Sequence, residues 1–331
     1  VSPGPAPPVE GRLRRSLRSG AFTVTAEVGP PRSADPADLR RKARHLCEWV
    51  DAANVTDNQS SFVRVASWAG SLLLAAEDVE PVMQFTCRDR NRIALQSDLI
   101  SAAVVGIPNV LLLTGDFPSA GDHPEAKAVF DLDSVQLIAT ARTLRDEHRL
   151  LSGRAVEPAP NWLIGAVENP TAPPARLRAR RLAKKVAAGA EFVQTQFVFD
   201  VARFRRWVAE LGDLGVLERC AVLAGVGPIR SLAALDHMQR HVAGVSVPEQ
   251  LERRLRGVTS DRVAAEGVRA CAETIEELRA VDGVAGVHVM AFAYEHGVPE
   301  ILESAGVPPR REREVGHGAG PARAEVVRHA R

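Results

Sequence analysis

Two carboxylates close apolar, β-branched runs in this chain: Glu27 in FTVTAEV, which begins at Phe22, and Asp116 just past NVLLLTG, which begins at Asn109. A carboxylate delivered by the end of a buried strand can move a proton or hold a polar ligand. Comparable runs carry neutral amides and hydroxyls two residues apart: Asn54 and Thr56, Gln84 and Thr86, Gln194 and Gln196. Alternate strand residues share a face, which groups Thr23 and Thr25 with Glu27, and Val110, Leu112 and Thr114 with Asp116. Any one of these is as well explained by a turn former or a helix N-cap. Five strands with the same feature, faces inward, predict a polar binding mouth suited to a flat polar heterocycle and the transfer of one proton.

Other chemistries fit less well. A Schiff-base enzyme needs a lysine at a strand end, and all four lysines (Lys42, Lys127, Lys184, Lys185) fall in predicted helices or loops. A metal hydrolase needs converging His and carboxylate ligands; only His288 lies within a strand, where it reads as a hydrogen-bonded core histidine, so no metal is expected. Cys47, Cys87, Cys220 and Cys271 lack C-x-x-C spacing, and isolated thiols suggest a reducing, cytoplasmic setting. A net charge of +1 gives no strong field for nucleic acid or anionic lipid. No apolar run approaches the ~20 residues that span a bilayer, and VSPGPAPPVEGRLRR lacks the apolar segment of a secretory signal.

The elements that must position the polar set repeat along the chain. Eight strand candidates begin at Phe22, Ala52, Pro81, Asn109, Asn161, Phe192, Ala221 and Gly286, each followed by a stretch with i, i+3, i+4 apolar spacing, such as PADLRRKARHLCEWV. Eight such units are the arithmetic of a (β/α)8 TIM barrel, an α/β fold whose sites gather at the C-terminal strand ends. An open doubly wound sheet is the alternative, but the first strand runs into VGPPRSADP and not a glycine-rich phosphate turn. A single catalytic domain over 16–307 is expected, with flexible tails at 1–15 and, basic in character, at 308–331.

Six blocks, AEVGPP, LTGDFP, LAKKVAAGAEFVQTQFVFD, LAGVGPIRS, VSVPEQLERRL and GVHVMAFAYEHGVPEIL, resemble successive blocks of the 5,10-methylenetetrahydrofolate reductases over about residues 20–306. Parts are closer to the short bacterial type of acetogens than to the enteric type. The resemblance implies reduction of methylenetetrahydrofolate to the methyl form in methionine synthesis, with NADH or NADPH as donor and a bound flavin, FAD or FMN. It assigns Glu27 as general acid, and Asp116, Gln196 and Met238 to the folate. It places Thr56, Gln84, Thr114, Gly115, Asp116, Ala166 and Lys185 at the flavin, Lys185 near its phosphates. The acid role requires a carboxylic acid that keeps its proton near neutral pH.

Some positions depart from the enteric pattern. Gln84 stands for a histidine, Val167 and Glu168 occupy the place of a tyrosine, and Met238 replaces a phenylalanine. No regulatory domain is read after the barrel, so control by adenosylmethionine is not expected. Flavin-free hydride transfer and a non-catalytic flavin- or pterin-binding subunit of a methyl-transfer complex remain alternatives, and a homo-oligomer is left open.

Overall fold

The computed structural model describes residues 10–242 and 244–316. Eight parallel strands close into one barrel in sequential order: β1 Thr23–Val28, β2 Ala52–Val55, β3 Pro81–Thr86, β4 Asn109–Leu113, β5 Leu163–Glu168, β6 Phe192–Phe197, β7 Ala221–Val226 and β8 Val284–Val289. The helices are α1 Arg12–Ser19, α2 Ala37–Leu46, α3 Ser67–Ala76, α4 Arg92–Val104, α5 Ser134–Asp146, α6 Arg178–Ala188, α7 Val201–Asp213, α8 Leu232–His241, α9 Glu249–Arg256, α10 Val263–Arg279, α11 Val298–Ser304 and α12 Arg310–Gly316. This is the (β/α)8 barrel that the strand count predicts, with extra helices between β7 and β8.

Strand alternation divides the interior into layers. Val24, Ala26, Val55, Phe85, Val110, Leu112, Ile164 and Val193 face outward into the core shared with the helices. Inside, Ala52, Val82, Leu111, Leu163, Phe192 and Leu223 form an apolar floor. Above it lie Thr25, Asn54, Gln194 and His288, all buried. The outward placement of Val110 and Leu112 corrects the expected inward face of the fourth strand. Its parity was counted back from Asp116 through Gly115, and Gly115 has a φ of 90°, which breaks the alternation before Asp116 is reached.

Both expected tails overlap ordered helices. In α1, Leu13 and Leu17 share a face, and Leu13 is wholly buried against the barrel floor. The Glu80 carboxylate accepts the Arg12 N–H and, at 2.9 Å, the Leu13 N–H, compensating the unpaired amides of the helix start. Asn109 Nδ2 holds the same carboxylate at 2.8 Å. At the other end, Arg313 Nη2 donates to Asp51 Oδ2 and to the Trp49 carbonyl, both at 3.0 Å. The Arg310 N–H meets the Glu48 carbonyl at 2.8 Å. The C-terminal helix docks through arginines and α1 through two leucines, so neither presents an apolar period, and the described fold reaches beyond the expected 16–307 at both ends. The rest of the expected tails, 1–9 and 317–331, lies outside the described residues.

Because Leu13 fills the floor, Leu13→Ala should destabilise the protein by about 2–5 kcal/mol. Urea unfolding checks this, and an unchanged midpoint would mean that the helix does not pack there.

Candidate active site at the barrel mouth

Glu27 occupies the last inward position of β1, with a side chain only 10% exposed. Its Oε1 accepts from Gln59 Nε2 at 3.2 Å and its Oε2 from Gln84 Nε2 at 3.3 Å. His288 Nε2 lies 3.7 Å from Oε2, ion-pair range for a protonated ring and longer than a hydrogen bond. The other ring nitrogen, Nδ1, is 3.0 Å from Thr25 Oγ1. His288 is thus the hydrogen-bonded core histidine that the sequence suggests, and it also faces the carboxylate. Among the described residues no group of three or more His, Cys, Asp and Glu could hold a metal ion.

Gln59 was not anticipated. It sits between Asn58 and Ser60 in the loop after β2, where Asn58, Ser60 and Ser61 have φ of 47°, 56° and 63°. Left-handed backbone at three non-glycine residues is costly and persists only where surroundings impose it. Here they do: Ser61 Oγ lies 3.1 and 3.0 Å from the carbonyls of Asp116 and Phe117, and Arg88 Nη1 donates to it at 3.0 Å. A Cβ on Gly121 would come within 1.9 Å of the Ser61 carbonyl oxygen, so only glycine lets the two loops close together. The run DNQSS directly after a strand is the sequence signal for this loop.

Asp116 is exposed at the mouth, beyond the end of β4. Burial works against the charge of Arg88, yet hydrogen bonding and attraction from Asp89, with Asp57 and Asp116 contributing, raise its pKa overall. Asp57, also unanticipated, is buried and accepts from Thr86 N at 2.8 Å, Thr86 Oγ1 at 2.9 Å and Arg90. Gly115 packs on Thr86: a Cβ there would stand 2.9 Å from the Thr86 Cβ. Thr56 is buried at the end of β2, and its Oγ1 has no hydrogen-bond partner. Burial pushes the thiol of Cys87, just past β3, up to about 12, away from the thiolate form that a nucleophile needs.

The remaining predicted positions divide. Gln196 is half-buried on β6, its Oε1 held by the Phe197 N–H at 3.0 Å. Met238 joins Phe197, Ile229, Leu235 and Met290 in an apolar cluster beside β6 and β8. Thr114 accepts the Ser134 N–H at 3.3 Å, beside the Asp133–Gln136 capping box that starts α5. Ala166 points away from the mouth into the helix-packed core. Lys185 is buried, bonded to the Val167 carbonyl and to Glu168 Oε2 at 3.2 Å. Burial pulls its ammonium below the ordinary value against the attraction of Glu168.

The barrel mouth thus holds a largely buried carboxylate, Glu27, that two amides hydrogen-bond and a histidine ring faces, with Asp116 exposed nearby, and the mouth is where barrel folds carry their sites. The chain belongs to the methylenetetrahydrofolate reductase family, whose profile matches residues 12–306. It is 27% identical over 263 residues to methylenetetrahydrofolate reductase 2 of Schizosaccharomyces pombe, covering 77% of this chain and 40% of that protein. It is 24% identical over 259 residues to the probable NADPH enzyme of Caenorhabditis elegans, covering 78% of this chain and 36% of that protein. This chain therefore spans less than half the length of these relatives. Among solved structures, a Clostridium thermocellum protein described as binding two copies of 5-methyl-5,6,7,8-tetrahydrofolic acid superimposes with a TM-score of 0.64 at 13% identity. That match covers 89% of this chain and 100% of the other, and is a likeness of fold. Among the described residues no helix is long and apolar enough to cross a membrane.

The unpartnered Thr56 hydroxyl makes a two-sided prediction. Thr56→Val should leave ligand-free stability unchanged or raise it by up to about 2 kcal/mol, because a buried unsatisfied hydroxyl is removed. The same variant should bind a ligand of the mouth more weakly. Thermal melts with and without ligand check both halves, and a clear loss of ligand-free stability would show that the hydroxyl already has a partner.

Proposed function

We propose that this protein reduces 5,10-methylenetetrahydrofolate to 5-methyltetrahydrofolate, taking the hydride from NADH or NADPH through a flavin, FAD or FMN, bound at the barrel mouth. The observation that carries this reading is Glu27, a largely buried carboxylate that two amides hold at the mouth. Family membership supports the reaction, as does the folate ligand of the Clostridium thermocellum protein of like fold. Relatives named for NADPH and for NADH support either donor.

Glu27 delivers its proton to the bridge nitrogen that leaves. The C–N bond breaks towards that nitrogen, the lone pair of the other nitrogen forms a C=N iminium, and a hydride added to the carbon completes the methyl group. Acid catalysis of this kind is worth about 10²–10⁴ in rate. Asp116 and Gln196 present polar groups to the pterin ring, and the cluster containing Met238 covers an apolar face of the ligand. Gln59 and Gln84 keep donors on the carboxylate once its proton has gone.

The residues present fit a flavin in one respect: Thr56 offers a buried hydroxyl without a partner among the described residues. A bound flavin would store the hydride between nicotinamide and folate. One observation favours direct, flavin-free transfer as a second reading. The Lys185 ammonium, expected near the flavin phosphates, is engaged by Glu168 and the Val167 carbonyl.

Anaerobic mixing of the purified protein with NADH or NADPH and methylenetetrahydrofolate, with and without FAD or FMN, should yield 5-methyltetrahydrofolate. Added or retained flavin should be bleached by the nicotinamide and recoloured by the folate. Turnover in colourless protein, indifferent to flavin, would establish the second reading; ligand binding without turnover would make the chain a non-catalytic subunit. Asp116→Asn should weaken folate binding and shift flavin reduction together, each by less than the loss of the acid would.

A further inference from the structure

We infer that His288 is a positioning residue for Glu27, with its ring hydrogen directed to Nε2 by a buried chain of hydrogen bonds from Asn54 through Gln194 and Thr25. The inference rests on the proposed role of Glu27 and deepens it.

The chain starts on β2 and crosses the barrel. Asn54 Nδ2 donates to Gln194 Oε1 at 2.6 Å, and Gln194 Nε2 donates to Asn54 Oδ1 at 3.0 Å. The same Nε2 donates to Thr25 Oγ1 at 3.1 Å. An amide nitrogen can only donate, so the Thr25 hydroxyl accepts this bond and its own hydrogen goes elsewhere. Two acceptors are in reach: His288 Nδ1 at 3.0 Å and the Val287 carbonyl at 3.4 Å. That hydrogen is assigned to the shorter contact, which makes Nδ1 an acceptor; a hydroxyl hydrogen on the Val287 carbonyl would instead let Thr25 Oγ1 accept from a protonated Nδ1. The ring hydrogen then sits on Nε2, the nitrogen 3.7 Å from Glu27 Oε2.

All four members of this layer are at most 2% exposed, and a buried polar layer of this kind keeps one arrangement only while every member is paired. Register supports the placement, since Thr25 and His288 are direct neighbours across β1 and β8. Gln59 reaches Glu27 from a loop and Gln84 from β3, two strands away, whereas His288 approaches from the buried layer below on the adjacent β8. Its Nε2–H therefore restrains the carboxyl group from beneath and becomes a third donor once the proton has moved to substrate. The role requires this 3.7 Å separation to close to hydrogen-bond range in the working complex.

The shapes of two amides separate this role from simple packing. His288→Asn keeps a polar group near the Nδ1 position, facing Thr25, but does not reach Glu27; His288→Gln extends an amide to the Nε2 position. In single-turnover reduction of methylenetetrahydrofolate, His288→Asn should lower the rate by up to about 10²-fold with folate KM little changed, and His288→Gln should recover most of it. Equal rates in both variants and wild type, or equal losses accompanied by the same rise in KM, would overturn the inference.

A second readout needs no turnover. Long-range nitrogen–proton NMR of histidine-labelled protein, with the His288 signal assigned by its loss in His288→Asn, should show the hydrogen on Nε2 and a bare Nδ1. A hydrogen on Nδ1 would mean that the Thr25 hydroxyl donates to the Val287 carbonyl or that the Asn54–Gln194 amides are oriented the other way, and either would refute the chain. If wild-type protein has no reductase activity, the proposed function fails while this tautomer result still decides the inference.

Discussion

The hydrogen-bonded layer of Thr25, Asn54, Gln194 and His288 divides the barrel, and the arrangement of the mouth depends on it. Below lies a floor of apolar side chains sealed by Leu13; above stand Glu27, Gln84 and Gln196. Polar side chains in a closed interior are costly unless paired, and once paired they hold their rotamers. Glu27 is thereby carried on a strand whose previous inward residue, Thr25, is held by both Gln194 and His288. A carboxylate mounted on such a base needs little reorganisation when it gives up a proton, which is how an enzyme site differs from a surface acid.

A second constraint acts from outside the barrel. The loop after β2 adopts left-handed backbone at Asn58, Ser60 and Ser61, and Ser61 joins the carbonyls of Asp116 and Phe117 to Arg88. One clasp thus sets both the Gln59 amide on Glu27 and the backbone of Asp116. The same neighbourhood leaves the Thr56 hydroxyl buried and unpaired. A buried polar group left unpaired at the mouth is stabilised when a ligand supplies the missing partner.

Much of this was legible in the residues. Alternation on β1, β2 and β3 brings Glu27, Thr56 and Gln84 to the interior, because inward parity follows from uninterrupted strand geometry, whereas a register shift between Gln194 and Phe197 interrupts β6 at Gln196. Alternation failed on β4, where Gly115 turns the chain before Asp116. It also gave no reason to prefer Ala166, whose parity sends it outward. Lys184 and Lys185 are indistinguishable as a pair in sequence; burial against Glu168 is a tertiary fact that no spacing encodes. The reach of Gln59 and the alignment of His288 with Glu27 likewise depend on a loop and on barrel closure. The helices at 12–19 and 310–316 escaped notice because one presents only two leucines and the other docks through arginines.

The central claim is that Glu27 supplies the proton that opens the methylene bridge. Stopped-flow kinetics of Glu27→Gln, which keeps the size and much of the hydrogen bonding of the side chain, tests it most directly. The account predicts that reduction of the flavin by NAD(P)H survives, while the folate half-reaction falls by about 10²–10⁴, equivalent to roughly 3 to 5 kcal/mol of barrier. Equal slowing of both half-reactions, or of neither, would contradict it and leave Glu27 as part of the scaffold.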